Sequence, residues 1–188
     1  SLIDLSSFLY REKKNTFSNM YNLTLVSPSC WLSNLVKNSF LKNTQIKIIN
    51  NGIDLSVFRP IMDYEIINKY NLQNKKVVLG VATNWNKRKG LDIFIEIANR
   101  INDNYILVLV GTNDDVDKML PNNIVSIHKT YDQEELAKIY SVADIFLNPT
   151  REDNFPTVNI EALACGTPVL TFNTGGSPEI IDETCGCV

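Results

Sequence analysis

The sequence holds a single histidine, His128, among its 188 residues. That scarcity removes multi-histidine zinc centres and leaves a Ser-His-Asp triad improbable. Long apolar runs are missing as well. The longest, Tyr105 to Val110, is strand-sized and far short of the roughly 18 residues that a membrane-spanning helix needs. Only five of the eighteen basic residues are arginine, and the net charge is −3. A nucleic-acid surface needs clustered Lys and Arg to neutralise phosphates, so that class is disfavoured. Neither G-x-G-x-x-G nor G-x-x-x-x-G-K-[ST] occurs, which takes the main support from the usual dinucleotide and P-loop readings. The four cysteines form no disulfide framework. Cys30 and Cys165 lie in helix-like segments and Cys185 and Cys187 form a terminal C-x-C, so free thiols of a cytosolic protein are expected. The chain starts at Ser1 and shows no signal-peptide pattern.

What is present is a globular composition, 44% hydrophobic and 21% charged, long enough for one domain and a remainder. From Lys75 onward two hydrophobic periods alternate. Strands are expected at Lys76–Ala82, Tyr105–Gly111, Asn123–His128, Ile145–Asn148 and Pro168–Phe172. Helices are expected at Gly90–Ile101, Asp132–Ala143 (with Asp132 as N-cap), Pro156–Cys165 and from Ser177 to Glu183. Strands apolar on both faces and alternating with helices predict an α/β fold, a Rossmann-like parallel sheet covered by helices on both faces. The first 74 residues behave as the tail of one α/β unit joined to another. Strands are expected at Leu23–Val26 and Gln45–Ile49, and helices at Cys30–Leu41 and Asp63–Tyr70.

Parallel sheets bind ligands at the carboxyl ends of their strands, and three loops there carry chemistry. Asn86-Lys87-Arg88-Lys89-Gly90 sets three cations before a helix, which suits a phosphate, although a solvated basic turn reads equally well. Arg151-Glu152-Asp153-Asn154-Phe155-Pro156-Thr157 opens a helix with Pro156 near its first turn, leaving N–H groups unpaired. Carboxylates there (Glu152, Asp153, and Glu161 about one turn further on) suit sugar hydroxyls, or they merely complement the helix dipole. Thr174-Gly175-Gly176-Ser177 lets backbone approach a ligand, or is a plain strand-to-helix turn. Asp114-Asp115-Val116-Asp117 contains a D-x-D that reads as a solvated loop rather than a metal site, and no metal site is expected. His128 reads as a strand residue with no chemical task. Trp31 reads as packing its helix, and Trp85 as core or as a ligand contact.

Taken in order, these segments resemble the donor-binding half of a GT-B glycosyltransferase of family 4, the glycosyl transferases group 1. Ser27-Pro28-Ser29-Cys30-Trp31 resembles the family's P-S-x-W helix start, and Asn51-Gly52-Ile53-Asp54 with Phe58 and Pro60 its interdomain segment. Lys89-Gly90 resembles its K-G turn, Leu136 to Asp144 its L-x-x-x-Y-x-x-A-D. Glu161-Ala162-Leu163-Ala164-Cys165-Gly166-Thr167-Pro168-Val169 resembles its signature, and Gly175-Gly176 with Glu179 completes the set.

The resemblance implies a retaining, metal-independent transferase that moves a sugar from a nucleoside-diphosphate sugar to a glycan or lipid-linked acceptor, with no other cofactor. It implies that Lys89 meets the donor diphosphate, together with the backbone at Asn154, Phe155, Thr157 and Val158 and the glycines Gly175 and Gly176. Glu161 would hold the ribose. The acid eight residues before Glu161 is Asp153, while the family's usual Glu is matched in type by Glu152 one position earlier, so either acid faces the sugar. Asn84 stands where many relatives carry Arg, and Arg88 would supply that charge.

Residues 1–57 are expected to be the end of an acceptor-side domain and 58–188 the donor domain, cut short at its C-terminal end. Such a segment would bind donor and transfer little alone, in the cytoplasm or at the inner face of a bacterial membrane, attached through the missing domain. A non-catalytic nucleotide-sugar binding module and a sugar-nucleotide epimerase of the same fold are the alternatives. An NAD-dependent oxidoreductase lacks its glycine fingerprint.

Overall fold

The computed structural model describes residues 4–188, which form two compact units, 4–51 and 52–188. The division falls earlier than the boundary expected after residue 57. Phe58 is buried in the second unit's core, and Ile53 and Val57 pack against it.

The first unit holds helix α1 (Ser6–Phe17), strand β1 (Thr24–Ser27), helix α2 (Cys30–Lys37) and strand β2 (Gln45–Ile48). β1 and β2 pair in parallel, with Thr24 opposite Gln45 and Ser27 opposite Ile48. Ser29 caps α2 by accepting from the Leu32 amide at 3.1 Å. The Asn50 side-chain Nδ2 donates to the Pro28 carbonyl at 2.8 Å, so the Ser-Pro-Ser segment and Asn50 fold against each other. α2 stops at Lys37, short of the expected Leu41. The Ser39 hydroxyl turns back to the Val36 carbonyl and accepts from the Leu41 amide, which builds a turn in place of further helix.

The second unit contains α3 (Tyr64–Lys69), β3 (Lys76–Val81), α4 (Leu91–Ala98), β4 (Tyr105–Val110), α5 (Asp114–Asp117), β5 (Ile124–Ile127), α6 (Gln133–Ser141), β6 (Ile145–Asn148), α7 (Thr157–Ala164), β7 (Val169–Thr171) and β8 (Gly186–Cys187). Its six strands form one sheet in the order β5-β4-β3-β6-β7-β8, every pair parallel. Alternation along β4 sorts the core onto two faces. Leu107 and Leu109 join Leu91, Phe94, Trp85 and Val116 on one face. Val108 and Val110 join Leu79, Ile127, Tyr140, Phe146 and Val169 on the other. The expected doubly covered Rossmann-like sheet is therefore what the chain builds.

The helix expected after β7 is corrected. Ser177 to Glu183 is not an α-helix. A single 3-10 turn, Ser177–Ile180, with Pro178 at its start, gives way to the short outer strand β8. Of the two readings left open for Trp85 the core one describes it: its indole N–H donates to the Val110 carbonyl at 2.9 Å, and its ring meets Phe94 edge-on with centroids 5.3 Å apart.

Candidate functional site

The strand order fixes where a ligand can lie. From β3 the chain moves outward through β4 to β5, returns to lay β6 on the other side of β3, and then moves outward the opposite way. Loops leaving adjacent strands in opposite directions open a crevice at their carboxyl ends. Here those are the loops after β3 and after β6, joined by the loop after β7.

The loop after β3 ends in a 3-10 turn, Lys87–Lys89, capped by Asn86, whose Oδ1 accepts from the Lys89 amide at 3.1 Å. Lys87 and Arg88 are exposed. Lys89 instead folds inward, and its Nζ lies 2.6 Å from Asp153 Oδ2, with 22% and 21% of the two side chains exposed. This ion pair joins the loop after β3 to the loop after β6.

Backbone and hydroxyl bonds hold the loop after β6 in place. Thr150, fully buried, donates from its hydroxyl to the Glu152 carbonyl at 3.1 Å, and the Thr174 hydroxyl donates to the Thr150 carbonyl at 2.8 Å. The Gly176 amide donates to the Asp153 carbonyl at 3.0 Å. Helix α7 then begins with Pro156 at its N-cap and no side-chain cap, so first-turn amides of Thr157 and Val158 have no side-chain acceptor from the cap position. Phe155 is buried beneath the turn, and Asn154 is exposed.

Not every residue singled out from sequence joins this cluster. Asp153 is the acid brought to Lys89; Glu152 is exposed and points its backbone, not its carboxylate, into the loop's hydrogen bonding. Glu161 sits one turn into α7, where its Oε2 accepts from the Tyr140 hydroxyl at 3.0 Å. Gly175 and Gly176 meet the Asp153 backbone. Asn84 is exposed, as is Arg88. Sequence reading missed a buried amide pair behind the site: Asn148 donates to Asn159 Oδ1 at 2.8 Å, and the Thr171 hydroxyl donates to the Asn148 carbonyl at 2.9 Å. The signal was available, since an Asn on the apolar stripe of a short buried helix needs a polar partner.

His128 lies just past the end of β5, where its Nε2 is 2.7 Å from Asp117 Oδ2 and its Nδ1 faces Asp114 at 3.9 Å. The D-x-D segment is the short helix α5 rather than a loop, with Asn113 as its cap. The ligating atoms of Asp114, Asp117 and His128 lie within 4.8 Å of one another. Of these contacts only that between His128 Nε2 and Asp117 is within hydrogen-bond distance.

Electrostatics distinguish Glu161 from the other acids. Burial raises its pKa above the usual carboxylate value, against the lowering effect of the Tyr140 and Thr157 hydroxyls. In the native state it therefore holds its proton to a higher pH than in the unfolded chain. Between the unfolded value and the raised one the native chain binds more protons, so stability falls as pH rises through that window. Glu161→Gln keeps an acceptor for Tyr140 and removes the titration. Its melting midpoint relative to the unmodified chain should rise from pH 4 to pH 7 in calorimetric scans, and a flat difference would contradict a buried, titrating Glu161.

Among the described residues no helix is long and apolar enough to cross a membrane. Comparison with known proteins agrees with the geometry. The glycosyl transferases group 1 family matches residues 63–186. The O-antigen biosynthesis glycosyltransferase WclY of Escherichia coli is 26% identical over 153 residues, 78% of this chain and 42% of that protein. Two solved structures share the fold. Sucrose-phosphate synthase of Thermosynechococcus elongatus superposes with a TM-score of 0.80 at 23% identity, over 97% of this chain and 48% of its own. Anabaena HepE, crystallised with UDP-glucose, gives 0.75 at 18% identity over 97% and 54%. The chain thus spans about half the length, or less, of these relatives. A parallel sheet with its crevice at the reversal of strand order, and a family match covering most of the chain, lead to one statement: the chain belongs to the glycosyl transferases group 1 family.

Proposed function

We propose that this chain is the donor-binding part of a retaining, metal-independent glycosyltransferase that takes a nucleoside-diphosphate sugar and passes the sugar to a glycan or lipid-linked acceptor. The observation that carries the reading is the Lys89–Asp153 pair, at the carboxyl ends of β3 and β6 where the strand order reverses.

Transfer breaks the bond from the sugar's anomeric carbon to the diphosphate oxygen, which leaves with the bonding electrons and gains a negative charge. The acceptor hydroxyl bonds to that carbon and gives its proton to the departing oxygen. Lys89, aided by Arg88 and the open first turn of α7, stabilises that developing charge, the office a metal ion serves elsewhere. Asp153 is the acid for the donor sugar's hydroxyls and Glu161 for the ribose. Retention follows if the acceptor attacks the face that the nucleotide leaves, and no protein nucleophile is called for. HepE was crystallised with UDP-glucose, and the same class of donor is proposed here. The acceptor would be met largely by the part of the protein that the relatives have beyond this chain, and the work would take place in the cytoplasm or at the inner face of the membrane.

A second reading, a nucleotide-sugar binding module without transfer, draws on exposed Asn84 at the position where many relatives place a cation. Thermal shift with UDP, GDP, ADP and NAD tests the common core of both. At about a hundred times its dissociation constant a ligand adds roughly 2.7 kcal/mol, which for a chain of this size is about 5–10 °C. Stabilisation by one nucleoside diphosphate and not by NAD is expected; stabilisation by NAD alone would overturn the donor assignment. Transfer by the longer protein but not by a pure binding module separates the two readings.

A further inference from the structure

Arg151 stands two residues before Asp153 and makes more of its surroundings than an ordinary surface cation. Its Nη1 and Nη2 each lie 2.8 Å from a different oxygen of Asp92, a two-pronged fork on the first turn of α4. The same Nη1 donates to the Lys87 carbonyl, and the Arg151 amide donates to the Arg88 carbonyl at 2.9 Å. Arg151 thus takes two of the three carbonyls of the turn Lys87–Lys89, while the third residue of that turn extends its side chain to Asp153. The guanidinium lowers the Asp92 pKa, which keeps the fork's acceptor charged.

We propose that Arg151, through Asp92, is a positioning residue that fixes the spacing between the turn after β3 and the loop after β6, and so holds Lys89 at Asp153. A plain surface ion pair contributes little and tolerates exchange of Arg for Lys. A spacer does not, because a point charge on a flexible stem cannot span two carboxylate oxygens and a carbonyl at once. The consequence for a bound diphosphate rests on the donor reading above; the positioning itself does not.

The test uses this chain with Arg151→Gln, Arg151→Lys and Asp92→Asn, and Arg100→Gln as a control that removes an exposed pair with Glu96 in α4. The local readouts are the Lys89 ammonium resonance, which the Asp153 contact makes observable by slowing its proton exchange, and hydrogen exchange at the Gly90 amide, bonded to Lys87. All three test variants should lose the resonance and exchange Gly90 about tenfold faster, with melting midpoints near that of the control. Calorimetric titration with UDP and GDP should show affinity reduced by about tenfold, since a displaced Lys89 loses part of a charge-assisted hydrogen bond to phosphate. Unchanged local signals, or full retention in Arg151→Lys, overturn the proposal. Altered local signals with unchanged nucleotide affinity overturn it as a device acting on the ligand through Lys89. If the unmodified chain binds neither nucleotide, the donor reading fails, while the resonance and exchange data still decide whether Arg151 positions Lys89.

Discussion

Lys89→Ala is expected to weaken nucleoside-diphosphate binding by about 10- to 100-fold, the range for losing a charge-assisted hydrogen bond to a phosphate. Stability should change by no more than about 1 kcal/mol, because the partner carboxylate of Asp153 is partly exposed and water replaces the lost contact. Isothermal titration with UDP and GDP, alongside a melt, measures both. Asp153→Asn supplies the complementary arm. Asp153, 2.6 Å from the Lys89 ammonium, would compete with a phosphate for it. Neutralising it should leave binding of the bare nucleotide equal or tighter, and should remove the extra affinity that the sugar moiety confers. Equal titrations for Lys89→Ala and the unmodified chain would mean that Lys89 is a structural cation and that the phosphate site lies elsewhere.

Gly175→Ala should be more damaging still. Gly175 has φ +57°, and a Cβ there would lie 1.8 Å from the Asp153 carbonyl oxygen. Both the strained backbone and the clash act on the loop that presents Asp153, and the neighbouring Gly176–Asp153 bond, 3.0 Å, would open. A loss of about 2–4 kcal/mol is expected, some 5–15 °C in melting temperature, with nucleotide affinity down by about 10- to 100-fold as the Asp153 loop and its Lys89 contact shift. Gly186→Ala is the comparison. Its Cβ would meet the Val169 carbonyl at 2.2 Å, on the outer strand β8 and away from Lys89 and Asp153. Similar destabilisation with near-normal nucleotide affinity in Gly186→Ala would show that the Gly175 effect is local to the site. Parallel loss of affinity in both would attribute it to general loosening.

The periodicities that made the sheet readable left its order hidden. Tyr105–Val110 and Lys76–Val81 are strands because their residues are apolar on both faces, and that much is local information. That β6 lies beside β3 is not local, and it is this adjacency that creates the crevice. The pairing of Lys89 with Asp153 spans 64 residues and that of Arg151 with Asp92 spans 59, so neither was legible from spacing. Glu152 and Asp153 are adjacent acids, and only the path of the loop, fixed by Thr150 and Gly176, turns the second toward Lys89. Trp85 could be read as core or as ligand contact because its position at the end of β3 permits both; the Val110 carbonyl decides for the core. β8 has two residues and no periodicity to detect. Its parallel pairing with β7, Val169 opposite Gly186 and Leu170 opposite Cys187, is a contact distant in sequence that spacing does not reveal.

The placement of β3 also orders events as the polypeptide emerges during synthesis. β3, β4 and β5 can pair as soon as they are made, but β3 remains an unpaired edge until β6 arrives, since Val78 pairs with Ile145. Until then its outer rim is a row of open backbone groups flanked by apolar side chains, the kind of edge to which another nascent copy can add a strand. Closing that stretch of chain costs loop entropy before its contacts repay it. The turn carrying Lys89 and the loop carrying Asp153 are drawn together only when β6 docks, so the same closure that hides the vulnerable edge also completes the crevice between them.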